Sequence, residues 1–122
     1  MSTTLDLTDQ YLSAVPDSVW ANRDLEVLYL DRNQIQTLPP QIGSLTKLRL
    51  FSAYSNRLIA LPDALWALTS LHTLNLSANH LVHLSDDLAG WRSEITQHFP
   101  DAIFIAANGL AEHFLINGVW NF

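Results

Sequence analysis

The chain has 122 residues, a formal charge of −6 and no cysteine, which bounds it to one domain with a core of ordinary size. The missing cysteine excludes disulfide frameworks, thiol nucleophiles and Cys-ligated zinc. Only six basic residues occur (Arg23, Arg32, Lys47, Arg49, Arg57 and Arg92), scattered without a run, which argues against nucleic acid because phosphate binding rests on Lys and Arg. The opening Met1-Ser2-Thr3-Thr4-Leu5-Asp6 has neither a basic n-region nor an apolar h-region, and no apolar run approaches a bilayer span. A cytoplasmic protein with no membrane partner is the expectation.

Three stretches superimpose without a gap at a spacing of 23 residues, beginning at Leu25, Leu48 and Leu71. Asparagine recurs at Asn33, Asn56 and Asn79, and proline at Pro16, Pro39 and Pro62. A fixed period of this size means stacked units, each unable to bury its apolar face without its neighbours. Stepping back by one period gives a weaker first unit over residues 2–24. There Leu5 matches Leu28, Leu7 matches Leu30, Leu12 matches Ile35 and Val15 matches Leu38, while Gln10 stands where asparagine is expected.

In the unit 25–47, Leu28-Tyr29-Leu30 alternates as a short half-buried strand does. Leu28 and Leu30 are expected to point inward, and Val27, Tyr29 and Asp31 outward. Phe51-Ser52-Ala53 takes the same place in the unit 48–70, and Leu74-Asn75-Leu76 in the unit 71–99. Each strand is expected to pair in parallel with its equivalent one period later. The asparagines follow the strands where the chain must turn. An amide both donates and accepts, so stacked Asn33, Asn56 and Asn79 suit the buried backbone groups of adjacent turns.

The period lengthens near the end. Ile103-x-Ile105-x-x-Asn108-x-Leu110 restores the skeleton in a unit over 100–113. The extra residues follow Ser85, a good N-cap, with Asp86 and Asp87 in the first turn. Leu88, Trp91, Ile95 and Phe99 fall on one helical stripe and Pro100 stops it, so a real amphipathic helix is expected over 86–99. The tail 114–122 is apolar around Asn117-Gly118, the strongest short hairpin signal.

The repeat Leu-x-x-Leu-x-Leu-x-x-Asn-x-(Leu/Ile)-x-x-Leu-Pro resembles the leucine-rich repeat family, in its 23-residue class. Leu38-Pro39-Pro40-Gln41-Ile42-Gly43-Ser44-Leu45 and Leu61-Pro62-Asp63-Ala64-Leu65-Trp66-Ala67-Leu68 carry the return segment closely. The resemblance covers about residues 4 to 113 and implies an α/β solenoid of about five coils in one domain. It further implies a parallel sheet on the concave side, short turns or 3-10 segments on the convex side, and protein binding on the sheet.

Outward sheet positions are free of packing, so function is sought there. Coil by coil they read Thr4, Asp6, Thr8; Val27, Tyr29, Asp31; Leu50, Ser52, Tyr54; Thr73, Asn75, Ser77; Ala102, Phe104, Ala106. Tyr29, Asp31, Leu50, Ser52, Tyr54, Asn75 and Phe104 are the candidate contacts for a protein or peptide. Tyrosine supplies large area and a polar tip at low rotamer cost; the bland alternative is a set of β-favouring residues on a solvated face. Five strands of ordinary length make a face of very roughly 400 Å². A stable interface buries about 800 Å² per partner, so a peptide or a contact spilling onto the flanks fits better.

Trp20 and Trp66 stand at equivalent positions with Gly43 between them. They either flank a shallow convex groove or pack edgewise on neighbouring coils, while Val19, Ile42, Leu65 and Trp91 read as core. The histidines show neither the i, i+4 helical spacing nor the glutamate partner of a zinc site, and no nucleophile elbow or phosphate loop occurs. No metal, cofactor or enzymatic activity is expected. The solenoid ends would each leave a strand edge open. Phe114, Leu115, Ile116, Val119, Trp120 and Phe122 therefore either fold back over the last coil or pair with a second copy, and a positive mean hydropathy favours shared burial.

Overall fold

The computed structural model describes residues 3–80, Trp66 apart for its side chain, and the backbone of residues 103–107, 112–116 and 119–121. Strands β1 (Thr4–Asp6), β2 (Val27–Tyr29), β3 (Leu50–Ser52), β4 (Thr73–Leu76), β5 (Ile103–Ala107), β6 (Glu112–Ile116) and β7 (Val119–Asn121) lie side by side in chain order in one sheet. Pairing is parallel from β1 to β5 and antiparallel from β5 to β7. The 23-residue step is the register itself: Leu5 pairs with Leu28, Leu28 with Phe51, and Phe51 with Leu74. No helix among the described residues is long and apolar enough to cross a membrane.

The inward column is closed to solvent. Leu28, Leu30, Phe51, Ala53, Leu74 and Leu76 are at most 1% exposed and form one core with Ile42, Leu45, Leu58, Leu65 and Leu68. Leu-Pro returns the chain across this core. Proline holds the backbone extended at Pro39 (φ −78°) and Pro62 (φ −75°), and its carbonyl accepts the N–H three residues on. That bond recurs from Val19 to Pro16, Ile42 to Pro39 and Leu65 to Pro62. It starts the short helix α1 (Ser18–Ala21) and the 3-10 turns Pro40–Ser44 and Asp63–Ala67. The amphipathic helix expected over 86–99 lies outside the described residues, as do Trp91, Asn108 and Phe122.

After each of β1 to β4 the chain turns through one residue with positive φ, at Asp9, Arg32, Ser55 and Ala78, again one period apart. None is glycine, so each turn costs on the order of 1 kcal/mol that its surroundings must offset. The buried asparagines provide the offset. Asn56 Nδ2 donates to the carbonyls of Leu30, Ala53 and Tyr54, and its Oδ1 accepts the Ile35 N–H. Asn33 and Asn79 repeat the pattern one coil before and one coil after. Where Gln10 replaces the asparagine, a second residue, Tyr11, also takes positive φ (56°), and the Gln10 N–H turns to Asn33 Oδ1.

The structure differs from the sequence reading in the last parallel strand. Ile103 pairs with Thr73 and Phe104 with Leu74, one residue out of step with the expected alignment of Ile103 on Leu74. Ile103-Phe104-Ile105-Ala106-Ala107 is apolar at every position, so it carries no alternation to set a register. The tail forms the hairpin that Asn117-Gly118 signals, and β6 pairs with β5 of the same chain.

Candidate functional site

The outward face of the sheet is built by short strands whose outward residues stand in rows across it. Val27, Leu50 and Thr73 form one row and Tyr29, Ser52 and Asn75 the next, by direct pairing. Tyr29, Asp31, Leu50 and Asn75 are half-buried, and Tyr54 is 41% exposed. Ser52 is not a surface contact: it is buried, and its hydroxyl donates to Asp31 Oδ1 at 2.6 Å. The same Asp31 oxygen accepts the Tyr54 N–H at 2.9 Å. A short side chain between two larger neighbours is simply covered, and here its hydroxyl is committed to Asp31. Ser77, one period on from Tyr54, is buried as well.

Charge on this face is locally arranged. The hydroxyl and N–H of Thr8 hold the Asp6 carboxyl below its ordinary value, and the Arg32 charge adds to the effect. Arg32 reaches back one coil to Asp9 at 2.8 Å, and Lys47 likewise to Asp24 at 2.8 Å. Both pairs are more than half exposed, so they contribute little to stability. At the N-terminal ends of the strands lies a depression of about 230 Å³ lined by Glu26, Val27, Arg49, Leu50, His72 and Thr73.

Leucine rich repeat is the family whose profile matches the chain, over residues 23–81. A solved leucine-rich repeat protein of Leptospira interrogans is similar at 30% identity and a TM-score of 0.56. The alignment covers 63% of this chain and 26% of that one, so the chain matches about a quarter of that protein's length. No curated protein matches. Residues 23–81 are therefore of leucine-rich repeat type.

Within a leucine-rich repeat solenoid the remaining candidates fall as follows. Phe104 pairs with Leu74, the core column, rather than with Asn75, so by register it does not continue the row of Tyr29. Trp20 is 6% exposed and does not line an open convex groove. Its indole Nε1 is enclosed without a hydrogen-bond partner, and its carbonyl accepts from Ser44 Oγ at 3.3 Å. Gly43 lies where the next coil presses in: a Cβ there would come within 3.2 Å of the Ala64 carbonyl oxygen. In the tail, Phe114 and Leu115 pair with Ile105 and Phe104, and Val119 and Trp120 with Ile116 and Leu115. Among the described residues no three His, Asp or Glu side chains converge as a metal site.

Sequence reasoning missed the rim of the depression. Its signal is the column Glu26, Arg49 and His72, one period apart and each one residue ahead of a strand.

Proposed function

We propose that this leucine-rich repeat chain is a non-enzymatic module that binds a protein or peptide on its concave sheet. Tyr29, Leu50 and Tyr54 are its contact residues, with Asp31 and Asn75 beside them. The observation that carries the reading is Tyr54, a large aromatic left 41% exposed just past the C-terminal end of β3 while the core closes without it. The leucine-rich repeats over residues 23–81 support it, since such repeats generally mediate protein–protein contacts and are typically non-enzymatic. The architecture that goes with the proposal is a single domain of about five coils. Replacing Tyr29 and Tyr54 together by Ala is expected to leave thermal stability nearly unchanged while abolishing retention of the partner from native lysate. A variant that fails to fold would make the tyrosines structural and end the assignment.

A second reading is self-association through the solenoid ends, favoured by one observation: the sheet order leaves β1 and β7 at its two edges. Sedimentation velocity over a range of concentrations separates the two. A monomer at every concentration eliminates assembly, and a concentration-dependent dimer or polymer supports it.

A further inference from the structure

Three acidic–basic pairs in this chain are one repeat apart: Asp9 with Arg32, Asp24 with Lys47, and Glu26 with Arg49. The first two close as ion pairs. The third stays open. Among the described residues, neither the Glu26 carboxylate nor the Arg49 guanidinium has a side-chain hydrogen bond or ion pair. The depression lies on these two residues and their neighbours, with Val27, Leu50 and Thr73 side by side in register and Glu26, Arg49 and His72 preceding them. His72 Nδ1 lies 3.1 Å from Thr73 Oγ1, which steadies the ring there.

We propose that this depression seats an acidic residue, flanked by an aliphatic one, of an extended peptide segment of the partner. The inference rests on the concave-face reading and names what that face selects. Size favours a side chain: about 230 Å³ falls below the roughly 300–1,000 Å³ of small-molecule pockets, and one or two side chains fill it. Three strands about 4.8 Å apart span about 10 Å, the reach of three extended residues. Arginine presents a planar fork that matches a carboxylate with two parallel hydrogen bonds. The fork of Arg49 is uncommitted among the described residues, whereas that of Arg32 is engaged by Asp9. The aliphatic neighbour rests on Val27 and Leu50, which are half-buried and lack a covering layer. Glu26 stands on the β2 side of Arg49 and His72 on the β4 side, so repulsion by Glu26 directs the incoming carboxylate towards His72. A basic peptide residue is the weaker fit, since Arg49 precedes the middle strand of the three and its charge would repel it.

The test is a titration of the full chain, followed by amide and arginine Nε resonances, with acetyl-Leu-Glu-Leu-amide and its Gln and Lys counterparts. Saturable shifts at Leu50, Thr73 and Arg49 are expected with the Glu peptide. The Gln peptide is expected to bind about fivefold more weakly, the loss of one exposed charge-assisted contact. Arg49→Gln is expected to erase that preference while keeping the dispersed spectrum of the folded chain. Equal or tighter binding of the Lys peptide overturns the proposal, as does a Glu peptide that leaves Leu50 and Thr73 unmoved at saturating concentrations. Neither outcome touches the role of the tyrosines, which partner retention by the double tyrosine variant tests separately.

Discussion

Asn56 Nδ2 donates to the Leu30 carbonyl at 2.8 Å, joining the turn of one coil to the strand end of the coil before it. The same amide bonds Ala53 and Tyr54 of its own coil, and its oxygen takes the Ile35 N–H. The side chain thus replaces backbone partners for two coils at once. A buried polar group left unpaired costs about 1–3 kcal/mol, against a native stability of commonly about 5–15 kcal/mol. Asn56→Ala is expected to destabilise by roughly 1–3 kcal/mol in denaturant melts, and exposed Arg57→Ala to change little. Two melts that both match the parent would contradict the role of the asparagine ladder.

Ser52 supplies a second stability prediction, because its hydroxyl is committed to Asp31 within the protein. Ser52→Ala is expected to cost about 1 kcal/mol, the net worth of one such hydrogen bond, without enlarging any cavity. The measurement is again a denaturant melt. A variant as stable as the parent would mean that Asp31 is held well enough by the Tyr54 N–H alone.

Gly43 is required by the approach of the next convex turn. A Cβ would meet the Ala64 carbonyl oxygen at 3.2 Å and the Ala64 Cβ at 3.3 Å, and the backbone oxygen has little freedom to move away. Gly43→Val, larger still, is expected to destabilise by about 1–3 kcal/mol through overpacking. A thermal melt with an unchanged midpoint would show that the two turns separate more easily than their packing implies.

Much of the fold was legible because every coil solves the same problem with the same residues. Leucine at most inward positions, asparagine at three successive turns and proline at Pro16, Pro39 and Pro62 announce the register before any coordinate is known. Legibility fails where that constraint lapses. Residues 103–107 are apolar at every position, so one alignment reads as well as its neighbour, and Phe104 lands opposite Leu74. Ser52 alternates outward as expected, yet burial of so short a side chain is decided by what flanks it. Trp20 belongs to the convex segment, where packing between successive turns hides it and no strand alternation applies. The Glu26–Arg49–His72 column escaped notice because it precedes the strands and forms no local motif. Only stacking places these residues around one depression.

The ion pair between Asp24 and Lys47 gives a pH dependence whose sign follows from its shifts. The hydrogen bond and charge of Lys47 hold the Asp24 carboxyl below its ordinary 3.8. Its contribution is therefore present above that value and lost as the pH falls through the lower folded one. The hydrogen bond and charge of Asp24 raise Lys47 above 10.5, so the lysine's contribution is present below 10.5 and lost as the pH rises beyond the folded value. Both groups are exposed, so the effect is small and is screened by salt. Lys47→Met is expected to lose less of its melting temperature than the parent between about pH 5 and about pH 2. Identical acid slopes would show that the pair adds nothing in solution.

Tyrosine footprinting of the complex shows whether the partner is held against the outward tyrosines of the sheet. Tyr11, 87% exposed on the turn after β1, serves as an internal reference beside Tyr29 and Tyr54. Partner binding is expected to protect Tyr29 and Tyr54 from covalent labelling while Tyr11 stays fully reactive. Labelling of Tyr54 undiminished in the saturated complex would contradict it.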